Sequence, residues 1–221
     1  MNVIEALNTR YSVRAFKPET VSKETLLQIM AAANQAPSWA DTQPWEVYIA
    51  TGAPLTKVRE QFLANYENGT TSSPDLPRPE DWPPALKQRM SENMSQRFAV
   101  MEIDREDKKA RDTNARRNYE FFGAPAVVYL CLEQNLTPWS IFDMGLCAQS
   151  VMLAAQEYGV DSIPAVSLVA YPEIIRRELN IPDNLMVLFG IALGYADDDN
   201  PANKPRSLRR QVEDVVRIIG V

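Results

Sequence analysis

A short and almost wholly apolar segment, residues 126–132 (AVVYLCL), constrains the fold of this chain more than any other feature. Such a run is typical of a β-strand that is covered on both of its faces. The most hydrophobic stretch follows at residues 140–158, where apolar side chains lie on every side of a predicted helix that Gly159 is placed to end. The two segments together predict a sheet with a buried central helix packed against it.

Shorter periodic segments complete the predicted order of elements. Helices are predicted at 2–9, from Ser22 to just before Pro37, at 54–66, over much of 85–117, from Pro172 and from Ser207, and strands at 45–50, 163–170 and 185–194. This order predicts an α+β fold, an α/β sandwich in which a small sheet of four or more strands is covered by helices. The length suffices for one sizeable core, so a single domain over 1–221 is expected, with an excursion at about 68–117 that begins in a Pro-, Ser- and Thr-rich segment.

Several kinds of chemistry are excluded by residues that the chain lacks. It contains no histidine, which rules out a Ser-His-Asp triad, a histidine-ligated zinc and a histidine general base. No metal site is predicted. The glycines form neither the G-x-G-x-x-G dinucleotide fingerprint nor the G-x-x-x-x-G-K phosphate loop. A phosphate ligand would therefore be held by side chains rather than by a glycine-rich loop.

Charge and cysteine content indicate the surroundings in which the chain works. The formal charge of −6 argues against nucleic-acid binding, which needs a basic face. No apolar run approaches the roughly 20 residues of a membrane span, and the N-terminus lacks the apolar core of a signal peptide. Cys131 and Cys147 lie in apolar segments without C-x-x-C spacing and are interpreted as reduced core thiols. A cytoplasmic protein without nucleic-acid or membrane partners is expected.

Two groups of arginines stand out in this acidic chain, one near each end. Arg10 and Arg14 flank Ser12, and Arg206, Arg209 and Arg210 follow Lys204. A guanidinium offers a fork of donors that matches a phosphate or an imide-like carbonyl edge. Each group alone is more simply explained by solvated surface charge. Together with a polar loop that contains Ser38 and Gln43, the two groups suit a phosphorylated planar cofactor.

Several short motifs follow one another along the chain. They are Arg10-x-Ser12-x-Arg14-x-Phe16, Ala36-Pro37-Ser38-x-x-Asp41-x-Gln43-Pro44-Trp45, Phe121-Phe122-Gly123-Ala124-Pro125, Asp143-x-Gly145, Ile163-Pro164, Leu193-Gly194-Tyr195 and Asn203-x-x-Arg206-Ser207-x-Arg209. In this order, from residue 1 to about 217, the chain resembles the flavin-dependent nitroreductase family. The segments 38–46 and 118–122 look like the branch that acts on nitrobenzoates and related nitroaromatics.

The resemblance implies an intertwined homodimer with FMN at the subunit interface, in a nitroreductase-like sandwich whose central sheet is mostly antiparallel. It implies a ping-pong reaction, in which NADH or NADPH reduces the flavin and leaves before a nitroaromatic acceptor takes two electrons. The nitro group would become nitroso and then hydroxylamino. Because the flavin carries the redox chemistry, no catalytic side chain is expected. The excursion at 68–117 is expected to cover the active site.

The same resemblance implies cofactor-binding roles for four groups of residues. They are Arg10, Tyr11, Ser12 and Arg14, with Arg10 towards the phosphate and Arg14 near the pyrimidine edge; Pro37, Ser38, Trp39 and Gln43, in a loop from the other subunit; Pro164, Ala165, Val166 and Ser167, along the flavin ring; and Arg206 and Arg209, at the phosphate. Asp41 stands where asparagine is frequent in the family. The segment 164–167 lacks the acidic residue and glycine of some members, which leaves its N–H donor to flavin N5 open.

Four aromatic residues are candidates for contact with the acceptor: Trp39, Trp82, Phe98 and Phe122. Packing at the dimer interface explains Trp39 equally well, and simple packing explains Trp82 and Phe98. Asp143 is interpreted as a carboxylate that complements the dipole at the start of the apolar helix. Alternative functions are the reduction of quinones, enones or free flavin on the same scaffold, and flavin binding with little turnover.

Overall fold

The computed structural model describes residues 1–220. Within that range the helices are α1 (Val3–Thr9), α2 (Lys23–Ala33), α3 (Gly52–Glu67), α4 (Pro84–Val100), α5 (Lys108–Arg116), α6 (Pro138–Glu157), α7 (Pro172–Leu179) and α8 (Val212–Val215). The strands are β1 (Glu46–Thr51), β2 (Ala126–Glu133), β3 (Asp161–Pro164) and β4 (Leu185–Gly194). Of the helices in this range, none combines the length and the apolarity needed to cross a membrane.

The strands of the described residues form one antiparallel sheet in the order β1-β2-β4-β3. β2 lies in its interior, with Val128 opposite both Ile49 of β1 and Ile191 of β4. Every residue of β2 except Glu133 is buried, which explains why its sequence is apolar throughout rather than alternating. The predicted α+β sandwich, with an antiparallel sheet covered by helices, is confirmed.

A separate group of helices covers each face of the sheet. On one face, Phe62 of α3 and Ile175 of α7 pack with Tyr129 of β2. On the other face, Ile29 of α2 and Val151 of α6 pack with the alternate side chains of β2. The helix predicted to be buried under the sheet is α6, so the central layer is held from both sides.

Cys131 on β2 and Cys147 on α6 are buried free thiols, as the sequence predicts. Burial raises the pKa of Cys131 to about 12 and that of Cys147 to about 11. Both thiols therefore stay protonated near neutral pH and act as small apolar side chains rather than as nucleophiles.

The strand predicted at 163–170 is wrong beyond Pro164. The chain continues there as a 3-10 turn over Val166–Val169. The turn brings Leu168 directly onto β4, where a Cβ added to Gly190 would lie 2.5 Å from the Leu168 Cβ. Because this close approach depends on a residue distant in sequence, local strand propensity gave no sign of it.

The helix predicted from Ser207 is wrong in extent, since only Val212–Val215 is helical. Leu208, Ile218 and Ile219 are exposed in the single chain. Short helices are marginal without tertiary burial, so this tail has too few contacts within its own chain to extend α8.

The excursion at 68–117 is fastened at its beginning by a buried ion pair. The Asp75 carboxylate accepts hydrogen bonds from Arg176 of α7 at 2.5 Å and from the N–H of Val187 on β4 at 2.7 Å. Beyond this anchor, α4 and α5 contribute no buried residue to the described chain. Most of the excursion therefore lies on the surface of the single subunit.

Candidate active site

The N-terminal arginine motif runs beside β3 at the edge of the sheet. A β-bridge joins Ser12 to Ser162, and the N–H of Val13 donates to the Ser162 carbonyl at 3.1 Å. Val13 is fully buried, whereas Ser12 and Arg14 are half-buried. Alternate side chains of an extended segment point to opposite sides, so the core contact of Val13 directs its two neighbours outward.

Asn203 fastens this motif to the C-terminal tail. Its Oδ1 accepts hydrogen bonds from the N–H groups of Arg14 at 2.6 Å and Ala15 at 3.1 Å. Its Nδ2 donates to the carbonyls of Ala15 at 2.7 Å and Asp197 at 2.9 Å. The buried amide thus uses both of its donors and accepts twice, and it holds two segments from opposite ends of the chain side by side.

The arginines of both chain ends come together through this connection. The Arg206 guanidinium lies over the Tyr11 ring, 3.6 Å from its centroid. Burial, and secondly the nearby charge of Arg209, lower the pKa of Arg10. We refer to the assembled group as the arginine cradle. It consists of Arg10, Tyr11, Ser12, Arg14, Arg206 and Arg209.

In the part of the chain that the structure describes, the arginines of the cradle are not engaged in ion pairs. Within residues 1–220, none of its arginines forms an ion pair with an aspartate or glutamate. Nη1 of Arg10 is buried and has no hydrogen-bond partner among the described residues. A buried cation without a partner is unfavourable. The orphaned donor and the surplus charge fit a phosphorylated ligand such as FMN.

A cavity of about 440 Å3 opens beside Arg14, and its wall includes Phe122. Phe121 and Phe122 have positive φ angles of 54° and 58°. This conformation costs a non-glycine residue roughly 1–3 kcal/mol and is found most often at functional sites. Both rings belong to the buried core, where the Phe121 ring lies 5.0 Å from that of Phe62, and Phe122 also lines the cavity.

The segment predicted to lie along the flavin ring spans the end of β3 and the start of the 3-10 turn. The N–H of Ala165 already donates to a carbonyl of β4 at 3.1 Å, and Pro164 has no N–H. Val166 and Ser167 open the turn, where the first N–H groups of a helix have no partner within it. These two N–H groups are the donors of the segment that remain for a ligand.

The loop at 37–43, predicted to contact the flavin of the other subunit, packs against α6. The N–H of Trp39 donates to the carboxylate of Asp143 at 3.2 Å. Ser38 Oγ accepts from the N–H of Gln43 at 2.8 Å, which closes the loop on itself. The loop is therefore held by α6 and by its own internal hydrogen bond, while the Trp39 side chain remains exposed to solvent.

Asp143 differs from its predicted role at a helix start. α6 begins at Pro138, which suits the first position of a helix because its missing N–H is not needed there. Asp143 therefore lies inside the helix and is buried. Its carboxylate supports the loop through Trp39 rather than complementing the helix dipole.

The same loop contains a concentration of backbone strain. Ala40, Asp41 and Gln43 have φ angles of 49°, 59° and 44°. Three non-glycine residues in the left-handed conformation within one short loop raise the free energy of the folded state. Such strain at a predicted cofactor contact supports a functional shape for the loop.

Two exposed aromatic residues of α6, which no sequence motif singles out, stand beside Trp39. The Trp39 and Trp139 rings meet edge to face with centroids 6.1 Å apart. Trp139 and Phe142 are 61% and 62% exposed, and both line a cavity of about 450 Å3 with Trp39. We refer to residues 37–43 with Trp139 and Phe142 as the aromatic loop face. Pro138 was the sequence signal that could have identified Trp139, because a helix that begins at this proline includes Trp139.

Two of the predicted acceptor candidates belong to the excursion. Trp82 is exposed just before α4, and Phe98 is half-buried on α4. In the described chain, neither residue lines the cavity beside Arg14 or the cavity beside Trp39. Their contact with an acceptor stays a prediction.

One chain thus assembles the cradle but keeps the aromatic loop face separate. The cradle is built on β3 and the tail, whereas the loop face is built on α6, and the two cavities share no lining residue. That the two regions contact one ligand from two subunits stays a prediction.

The chain is similar to a described family of proteins. Residues 7–195 match the sequence model of the Nitroreductase family. The 4-nitrobenzoate reductase of Pseudomonas putida is 29% identical over 212 residues, which are 96% of this chain and 93% of that protein. Nitroreductase NfnB of Mycolicibacterium smegmatis is 33% identical over 210 residues, which are 94% of this chain and 88% of that protein.

Solved structures share the fold along its whole length. The FMN and NADPH-dependent nitroreductase NfnB from Sphigopyxis sp. strain HMH has a TM-score of 0.94 at 30% identity and covers 100% of both chains. The FMN-dependent nitroreductase NfnB from Mycobacterium smegmatis, solved in complex with NADPH, has a TM-score of 0.91 at 30% identity. That alignment covers 98% of this chain and 99% of the other.

Proposed function

Because the chain belongs to the Nitroreductase family, we propose that it is an FMN-dependent NAD(P)H oxidoreductase that reduces nitroaromatic compounds. The observation that carries this proposal is the arginine cradle, whose charge has no carboxylate partner within residues 1–220 and whose Arg10 has an orphaned buried donor. The phosphate of FMN supplies the missing anion. The names of the similar proteins, which specify FMN, NADPH and nitroaromatic substrates, support the same function.

Each residue of the cradle has a distinct part in holding the cofactor. Arg10, Arg206 and Arg209 bind the phosphate, and Tyr11 fixes the direction of Arg206 by lying under its guanidinium. Arg14 approaches the pyrimidine edge from a backbone that Asn203 holds in place. No glycine-rich loop is needed, because side chains provide the donors.

When bound, FMN would supply the redox chemistry of the proposed reaction, namely hydride acceptance from NADH or NADPH and two-electron transfer to the nitro group in alternating half-reactions. The protein contributes electrostatics. Charge-assisted hydrogen bonds contribute roughly 1.5–3 kcal/mol each, so the Arg14 guanidinium favours negative charge beside it. The N–H of Val166 or Ser167 adds a donor along the ring. Protons for the nitroso and hydroxylamino products come from water, which is consistent with a chain that has no histidine.

We propose that the active protein is a homodimer with shared active sites. Large apolar side chains remain exposed on two packed helices, including Ile4 of α1 and Trp139 and Phe142 of α6. In a twofold dimer the same surface is used on both subunits, so each aromatic loop face meets the partner's cradle. The single domain, the covering role of the excursion and the cytoplasmic location stay predictions.

The purified protein tests this function directly. It should be yellow with about one FMN per chain, lose its colour anaerobically with NADPH or NADH, and regain it on addition of 4-nitrobenzoate. A colourless protein that takes up no FMN contradicts the proposal. A flavin that nicotinamide reduces only over many minutes would favour a binding module with little turnover. Turnover with nitroarenes, quinones and enones against both nicotinamides then identifies the preferred acceptor and donor.

A further inference from the structure

The helix α4, in the middle of the excursion, carries an arginine that the proposed function does not use. Nε of Arg97 is buried and has no hydrogen-bond partner among the described residues. The helix itself spans Pro84–Val100 without a single buried residue. A long helix with no core contact of its own therefore directs one cation inward.

The helix of Arg97 approaches the arginine cradle, since Asn93 of α4 and Arg209 line one cavity, and the charge of Arg97 also affects Arg14. Burial, and secondly the neighbouring Arg97 charge, lower the pKa of Arg14 to about 10, and burial also lowers the pKa of Arg97. In the described chain neither guanidinium has a carboxylate partner, and the Arg14 guanidinium donates only to the carbonyl of Ser12. Two like charges in one half-buried place repel each other, and an anion between or beside them would remove the penalty.

A second residue of α4 lies beside the tail arginines. Asn93, one turn before Arg97, lines a cavity of about 530 Å3 together with Arg209 of the tail. Oδ1 of Asn93 is buried without a partner among the described residues. The orphaned polar atoms of α4 therefore occur where the helix approaches the cradle, on both the Arg14 side and the Arg209 side.

We propose that Arg97 is a further FMN-binding residue, which acts with Arg14 on the part of the flavin that becomes negative on reduction. The inference rests on the proposed function and deepens it. Because α4 has no buried residue, an anion held by both Arg97 and Arg14 would attach this helix to the cradle. Binding of FMN should therefore order α4 and bring the excursion over the site.

Three variants separate this role from a structural one. Arg97→Met removes the charge at similar length, Arg97→Lys keeps the charge but loses Nε, and Arg111→Met removes an exposed arginine of α5 as a matched control. FMN affinity is measured by quenching of flavin fluorescence, the midpoint potential by equilibration with reference dyes, and the protection of residues 84–100 by hydrogen exchange with and without FMN.

Arg97→Met should weaken FMN binding by about ten- to a hundredfold, the range expected for one charge-assisted hydrogen bond. It should also lower the midpoint potential and abolish the FMN-dependent protection of α4. Arg97→Lys should retain most of the potential and lose part of the affinity, and Arg111→Met should match the wild type. The apoprotein of Arg97→Met should unfold at the same or a higher temperature than the wild-type apoprotein, because a repulsion has been removed.

The outcomes distinguish this inference from the function on which it rests. A wild-type protein that takes up no FMN contradicts both. A wild-type protein that binds FMN, with Arg97→Met showing unchanged affinity and potential, overturns the role of Arg97 alone. A less stable Arg97→Met apoprotein with an unchanged potential identifies Arg97 as a packing residue and also overturns the inference.

Discussion

The arginine cradle and the aromatic loop face differ in charge, in exposure and in how the chain supports them. The cradle is charged, and a buried amide, Asn203, holds its parts together within one chain. The loop face is apolar and exposed, and a single carboxylate, Asp143, supports it from below. The first region has a fixed frame and lacks an anion, whereas the second has a strained loop and lacks a surface to cover it. Under the proposed function, each region is completed by something outside its own chain, a ligand for the cradle and a partner subunit for the loop face.

The largest effect is expected at the frame of the cradle. Asn203→Ala should lower the free energy of unfolding by about 3 kcal/mol, because it leaves several buried backbone groups without partners. It should also abolish flavin binding, since the backbone of Arg14 loses its support. Urea unfolding and flavin titration measure the two effects.

A helix cap away from both regions provides the control. Ser22 accepts the N–H of Thr25 at the start of α2, and Ser22→Ala should cost about 1 kcal/mol without changing flavin affinity. If Asn203→Ala is no more harmful than Ser22→Ala, the cradle is not held from within the chain.

A smaller effect should divide the cradle into a phosphate side and a ring side. Arg209→Ala should weaken FMN binding by about ten- to a hundredfold while leaving riboflavin, which has no phosphate, unaffected. Arg14→Ala should weaken the binding of both flavins and lower the midpoint potential. Equal losses for FMN and riboflavin in Arg209→Ala would show that the assignment of the phosphate is wrong.

The smallest effect is expected beneath the loop. Asp143→Asn keeps an oxygen for the N–H of Trp39 but removes its charge, so the hydrogen bond weakens by about 1 kcal/mol. The value of kcat/KM for a nitroarene should fall about fivefold. The ratio of FMN to riboflavin affinity should not change, because the phosphate side is untouched.

The other end of α6 offers a matched carboxylate. Among residues 1–220, Glu157 pairs only with the N-terminal amino group, in an exposed ion pair, so Glu157→Gln should leave nitroarene turnover unchanged. An equal loss of turnover in Glu157→Gln and Asp143→Asn would contradict the claim that the hydrogen bond from Trp39 to Asp143 specifically supports turnover.

The cradle was more predictable from the sequence than the loop face. Arg10, Arg14, Arg206 and Arg209 stand out because arginine groups are unusual in an acidic chain and their spacing is short. Asn203 appears in the tail motif, but its four hydrogen bonds depend on two chain ends meeting, which no local pattern records.

The two differences between prediction and structure have different causes, a local signal for Trp139 and three-dimensional proximity for the strand that ends early. Trp139 lay outside the predicted helix because the helix was started at residue 140, although Pro138 marks its beginning. The strand predicted to continue to residue 170 ends early because Leu168 packs on the bare backbone of Gly190. By contrast, β2 was predicted correctly, because a strand that is buried on both faces has a continuous run of apolar residues in the sequence.

The central claim is that the cradle of one subunit and the loop face of its partner form one active site. Arg14→Ala and the double variant Ser38→Ala, Trp39→Ala should each have little activity as homodimers. A heterodimer of the two, isolated with two different affinity tags, would have one site with both defects and one intact site. We expect about half of the wild-type nitroarene turnover from that heterodimer, as twofold symmetry with shared sites requires. Activity equal to the mean of the two defective homodimers would contradict the claim, because it would place both regions at the same site within a single chain.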